Sequence, residues 1–186
     1  MTTTTTTLEQ TTGTWAIDAS HTRVGFSAKH AMVATVRGQF NEFGGNLTLD
    51  GSNPGQSAAD LTISAGSIST GSDDRDNHLR SGDFLDVETH PDLTFRSTGV
   101  RFNGGDDFVM TGDLTIRGTT RPVELSVELE GLASDPFGNE RIGFSGETTI
   151  SRKDFGLTWN VALEAGGVLV SDKVKITLDV SAIKQA

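Results

Sequence analysis

The chain has 186 residues, enough for one domain with a sizeable core and too few for two comfortable ones. Lys and Arg number 15 against 25 Asp and Glu, and a net charge of −10 argues against a nucleic-acid surface or a patch for anionic lipid. The absence of cysteine excludes disulfides, thiolate zinc sites and cysteine nucleophiles together. No apolar run approaches the length of a membrane span, and ten Phe with two Trp argue against disorder of the whole chain.

Residues 1–13 begin Met1, Thr2 to Thr7, and read as a solvated, disordered tail of low complexity. They have no basic n-region and no apolar h-region, so the expected location is the cytoplasm. From residue 14 to 186 a single domain is expected, and period two dominates it. Val24, Phe26 and Ala28 lead to His30, and Val36, Gly38 and Phe40 follow. Leu47 and Leu49, then Leu61, Ile63 and Ala65, then Leu93 and Phe95 carry short stripes of the same kind. Longer ones run through Phe108, Met110, Gly112, Leu114 and Ile116, and through Val123, Leu125, Val127 and Leu129. Ile142, Phe144, Gly146, Thr148 and Ile150 precede the last stripe, Val174, Ile176, Leu178 and Val180. Such alternation marks strands with one dry and one wet face. Turn signals at Ser52-Asn53-Pro54-Gly55, Asn103-Gly104-Gly105-Asp106, Arg117-Gly118 and Asp135-Pro136-Phe137-Gly138-Asn139 separate them. Short connections make neighbours antiparallel, so the fold class is all-β, a barrel or sandwich.

One segment breaks the pattern. Ser72 to Gly82 reads as a short helix capped by Ser72, with Asp73 and Asp74 at the positive end of its dipole and Gly82 as its stop. Helical spacing places Arg75, His78, Leu79 and Gly82 on one face, so with Leu79 docked a cation and an imidazole turn toward the sheet. Phe84 then carries the chain back. Arg75 either faces a ligand head or pins the helix to a strand carboxylate, with His78 pairing Asp74. His30 is either a polar group at a pore or a satisfied core histidine.

Enzyme signatures are missing. There is no Gly-x-Gly pair for a dinucleotide, no Gly-Lys for a P-loop, and Ser145 lies mid-strand rather than on a nucleophile elbow. His21, His30, His78 and His90 show no i, i+4 pairing, and no metal site or cofactor is expected. Gly38, Gly112 and Gly146 interrupt dry stripes, and either allow bends where the sheet closes or leave room for a guest. A barrel of about eight strands is near the size at which the interior just fills or holds one small ligand.

Several segments are recognisable together: Trp15-Ala16-Ile17-Asp18, His21-Thr22-Arg23-Val24-Gly25-Phe26, Arg75-Asp76-Asn77-His78-Leu79, His90-Pro91-Asp92-Leu93-Thr94-Phe95, and Arg152-Lys153-Asp154-Phe155-Gly156-Leu157. In this order the chain resembles the YceI-like family over nearly everything after the threonine run. The resemblance implies an antiparallel lipocalin-like β-barrel of about eight strands with one short helix packed against it. It also implies a long apolar amphiphile, a polyisoprenoid such as a prenyl diphosphate or isoprenoid quinone, bound in an elongated pore. Thr22 stands where the family pattern has serine and keeps the hydroxyl.

The candidate lining follows the stripes: Phe26, Ala28, Phe40, Leu61, Ile63, Phe84, Leu93, Phe95, Met110, Gly112, Leu114, Leu125, Val127, Phe144, Gly146, Phe155 and Trp159, with His30, Arg75 and His78 as candidates for the head. The expectation is a non-enzymatic carrier or storage protein whose partner is a lipid and not nucleic acid. Edges near a barrel opening leave room for a homodimer, which nothing in the sequence specifies. The rival is an enzyme on a lipid-like substrate using His78, Asp76 and Arg75, or His30 and His90, as acids and bases. A packed barrel serving as an interaction module is the third reading, and interior volume separates it from the others.

Overall fold

In a computed structural model the chain is described over residues 8–164 and 166–186. The strands are β1 (Gly13–Ile17), β2 (Arg23–His30), β3 (Ala34–Phe40), β4 (Phe43–Leu49), β5 (Ala58–Ser64), β6 (Ile68–Ser69), β7 (Asp92–Gly104), β8 (Asp107–Ile116), β9 (Thr119–Ser134), β10 (Glu140–Ser151) and β11 (Val170–Lys184). A helix, α1 (Asp73–Arg80), lies between β6 and β7. All pairings are antiparallel, in the order β1-β4-β5-β7-β8-β9-β10-β11, and β1 pairs with β11 to close a barrel of eight strands. The long β11 is shared: along one edge it pairs with β10, and along the other with β2 up to Asp179 and with β1 from Ala182. Strands β2, β3 and β6 therefore form a leaf that continues the sheet from the first half of β11. The Thr22 hydroxyl sits at the branch, donating to Ser181 O and accepting from Ser181 N.

The stripes and the closure agree. Along β8 the buried positions Gly112, Leu114 and Ile116 alternate with Asp113 and Thr115, and in β9 Leu125 and Leu129 are buried while Glu124, Ser126, Glu128 and Glu130 are exposed. The hairpin between β8 and β9 turns on Arg117 and Gly118, both at positive φ, the two-residue geometry whose twist matches the strands it joins. Ladder irregularities at Ser97/Gly99 and Gly143/Phe144 bend the longest strands where the barrel curves.

Of the disordered tail expected over residues 1–13, residues 1–7 lie outside the described residues. Leu8 and Thr11, in contrast, are buried against the barrel, because Leu8 joins an apolar cluster with Trp15, Leu47 and Leu129. The segment is fastened by hydrogen bonds from Trp15 Nε1 to Thr11 O at 2.8 Å and from Gly51 N to Thr12 Oγ1 at 2.9 Å. A Cβ on Gly51 would stand 1.6 Å from Leu8 O, so the chain lies across the β4–β5 connection only because residue 51 has no side chain.

The helix is shorter than its sequence frame and docks differently. Ser72 caps it as expected, Oγ accepting from Arg75 N, but it ends at Arg80 with Ser81 as its cap. Asp76, Leu79 and Arg80 form the docked side, not Arg75, His78 and Leu79. Asp76 is 5% exposed and accepts from Thr70 N at 2.8 Å and Thr70 Oγ1. Arg80 donates to Gly66 O at 2.8 Å and Ile68 O at 2.9 Å. A buried carboxylate is satisfied by two donors, which outweighs the single apolar residue that guided the helical wheel. Among the described residues no helix is long and apolar enough to cross a membrane.

At the end of the barrel holding the termini, Arg141 bridges Asp18 and Asp135, at 2.8 Å to each. The Ser20 hydroxyl, with Arg141 and His21, holds the Asp18 carboxyl well below the usual carboxylate range, and Arg141 with the Asn139 amide does the same for Asp135. At the helix end the buried Arg152 donates to the carbonyls of Leu157, Trp159, Val170 and Ser171. Burial draws its guanidinium below the ordinary value, and the Asp172 charge opposes that.

Candidate functional site

The interior is divided. Toward the helix it is filled: Ile63, Leu93, Leu114, Ile116, Ile150 and Phe155 are all under 9% exposed and pack into one cluster. Toward the β4–β5 connection it is hollow, with an apolar cavity of about 130 Å³. Its walls come from Leu47 and Leu49 of β4, Phe108 and Met110 of β8, Val127 and Leu129 of β9, Phe144 and Gly146 of β10, and Leu178 and Val180 of β11. Leu61, Phe95 and Leu125 form the boundary with the packed half. The mouth is framed by Leu8 and Thr11 on one side and by Asp50, Gly51, Pro54 and Ser57 on the other. For scale, an engineered apolar cavity of about 150 Å³ stays dry and takes up benzene.

Seven of the seventeen candidate lining residues meet here: Leu61, Phe95, Met110, Leu125, Val127, Phe144 and Gly146. The other ten do not. Phe26 and Phe40 pair at 5.8 Å and pack with Ile63, Leu93, Leu114 and Phe155 in the filled half, and Ala28 sits on the leaf opposite Val36 and Val174. Phe84 and Trp159 lie beside the helix, where both rings meet the His78 imidazole, at 5.0 and 4.6 Å. Gly112 offers no space: a Cβ there would stand 2.4 Å from the Phe95 ring, which leans into the gap. Gly38 is filled in the same way by Phe26. At Gly146 the nearest atoms are 3.7 Å away, so of the three glycines only this one leaves room that belongs to the cavity.

The three candidates for the head stand elsewhere. Arg75 is exposed and donates to Thr70 Oγ1 and Thr70 O, both at 2.7 Å, so it pins its own loop rather than a strand carboxylate. His78 Nε2 meets Asp83 Oδ2 at 2.9 Å, not Asp74. His30 is exposed at the end of β2, so it is neither a core histidine nor a group at the cavity. Of the two acid–base sets suggested for an enzyme, the first is committed to the helix and its loop, with Asp76 and Arg75 both spent on Thr70, and of the second neither His30 nor His90 lines the cavity. Among the described residues no three His, Asp or Glu side chains gather as a metal site.

The candidate lining left out Leu8, Thr11 and Ile17 and several stripe residues that the cavity does use, including Leu47, Leu49, Phe108, Leu129 and Val180. Those stripe residues have the correct phase, and phase says only that a side chain points inward. Leu8 carried one signal, as the lone apolar residue beside the threonine run.

The cavity's frame is shared with known proteins. A UPF0312 protein of Pseudomonas aeruginosa (strain LESB58) is 39% identical over 168 residues, covering 90% of this chain and 84% of that one. The crystal structure of Burkholderia cenocepacia BcnA superposes with a TM-score of 0.77 at 24% identity, over 89% of this chain and 98% of that one. A polyisoprenoid binding domain from Saccharophagus degradans, implicated in plant cell wall breakdown, superposes with a TM-score of 0.69 at 16% identity, over 92% and 98%. The YceI-like domain family matches residues 15–182, nearly the whole barrel, and this chain belongs to it.

Proposed function

We propose that this protein binds a long apolar amphiphile, a polyisoprenoid, with its tail in the barrel cavity and its head at the mouth, as a carrier or store. The observation that carries the reading is the cavity itself: a barrel able to fill its interior on the helix side leaves the other half open and lines it with aliphatic and aromatic side chains. A structural neighbour described as a polyisoprenoid binding domain supports the choice of ligand class.

The energetics suit such a ligand. Each buried CH₂ contributes about 0.8 kcal/mol, so a five-carbon prenyl unit contributes about 4 kcal/mol before its ordering cost. A cavity of about 130 Å³ takes roughly one such unit as it stands. A longer tail needs Leu8 and the mouth to yield, which a contact of one leucine and a few hydrogen bonds permits.

The test is direct. Organic extraction of protein purified from its native host, followed by mass spectrometry, is expected to release an isoprenoid amphiphile. Delipidated protein is expected to take up retinol, a fluorescent isoprenoid alcohol, with saturable one-site binding. An extract free of amphiphile together with no retinol uptake overturns the reading.

A further inference from the structure

We infer that the site discriminates by charge: it accepts amphiphiles with an uncharged, hydrogen-bonding head and rejects anionic ones, with Asp50 as the residue that sets the preference. This rests on the proposed function, and takes it from a class of tail to a class of head.

The polar groups at the mouth are few and their commitments are known. The Thr11 hydroxyl donates to Leu8 O at 2.6 Å, so it has no proton left to give a ligand. Ser57 Oγ accepts from Asp50 N at 3.0 Å, which leaves its own proton to give. Asp50 Oδ1 accepts from Ser52 N at 3.1 Å and Asn53 N at 3.0 Å, so the carboxylate is held in place by the turn it organises. No described lining residue is Lys, Arg or His.

An alcohol or a quinone suits this set. A hydroxyl head donates to a carboxylate and accepts from a serine, and a carbonyl head accepts from the serine alone. A carboxylate or diphosphate head only accepts, brings negative charge beside Asp50 at the edge of an apolar cavity, and finds no cation among the described lining residues, while Arg141 and Lys184 at that end of the barrel are already paired with Asp18, Asp135 and Glu140. The cations that sequence reasoning offered an anion lie at the helix end. Strand β5 runs from the mouth at Ala58 to Ser64, and the helix docks on Gly66 beyond it, a span of roughly 20 Å. Arg75 and His78 are bonded to Thr70 and Asp83 there. The chain's net charge of −10 adds a repulsive field to the approach of any anion.

Retinol and retinoate make a matched pair, with one carbon skeleton and heads that differ in charge. At pH 8 delipidated protein is expected to bind retinol at least tenfold more tightly than retinoate, and geranylgeraniol is expected to exceed geranylgeranyl diphosphate in competition with retinol. Asp50→Asn keeps an oxygen to accept from Ser52 and Asn53, and is expected to narrow the retinol-to-retinoate ratio severalfold, chiefly by tightening retinoate binding. In wild-type protein, raising salt is expected to narrow the same ratio, a readout that needs no variant. Retinoate bound as tightly as retinol, or a ratio that neither Asp50→Asn nor salt alters, overturns the inference while retinol binding keeps the proposed function. Failure of both ligands to bind overturns the proposed function and this inference with it.

Discussion

Gly146→Leu separates a cavity that binds from a cavity that merely exists. Gly146 faces the hollow half of the barrel, and a Cβ built on it meets nothing closer than 3.7 Å, the ordinary contact distance to Leu178. Leucine there adds four carbons to a space of about 130 Å³. A ligand tail that loses burial for four carbons at about 0.8 kcal/mol each loses about 3 kcal/mol. At 1.4 kcal/mol per decade this is roughly a 200-fold weaker dissociation constant. Stability is expected to hold or rise, since glycine inside a strand is about 0.5–1 kcal/mol worse than alanine and the new side chain is buried. The control is Gly38→Ala. Its Cβ would stand 2.4 Å from the Phe26 ring in the filled half, so it is expected to destabilise by about 1–3 kcal/mol through overpacking and to leave binding alone. Retinol titration by fluorescence and thermal melting of both variants suffice. Wild-type affinity in a cooperatively folded Gly146→Leu protein would refute the placement of the tail.

Leu8→Ala removes a leucine from the mouth and is expected to cost about 2 kcal/mol in thermal unfolding, while speeding retinol association in stopped flow. Unchanged association would show that the segment does not limit access. Asp76→Ala strips the buried acceptor from Thr70 and is expected to cost about 2–3 kcal/mol in chemical denaturation without changing retinol affinity, because the helix and the mouth lie at opposite ends. A large loss of affinity would return the helix to the site. The acid limb of stability is expected to depend on Arg141. Asp18 and Asp135 are held below their ordinary value of 3.8, so as pH falls the unfolded chain takes up protons first, and the stabilisation is full above about pH 5 and drains as pH drops toward the folded values. Arg141→Gln is expected to flatten that limb in urea melts between pH 5 and 2, and an identical pH dependence would refute it.

How much of this was legible depends on which physical variable each feature obeys. The stripes in β8, β9, β10 and β11 were readable residue by residue, because a strand's period of two is a local property of the backbone. Ser72 as a helix cap and Gly118 in a tight hairpin were readable for the same reason. The docked face of α1 was not, since Asp76 is buried only because Thr70, six residues earlier, returns to meet it. The division of the stripes into packed and hollow halves was not legible either. Phe95 fills the gap at Gly112 by leaning across from a neighbouring strand, and no spacing within β8 announces that.

By itself the sequence determined the alternation, the turns, the antiparallel neighbours and the acidic, cysteine-free surface, because each is written in residues close along the chain. Only the tertiary structure decided depth: which inward side chains interlock, which border a void, and that Leu8 and Asp50 stand at its mouth. Depth depends on the closure of β1 on β11 and on the stagger between strands far apart in sequence, and those contacts are made only when the barrel has closed.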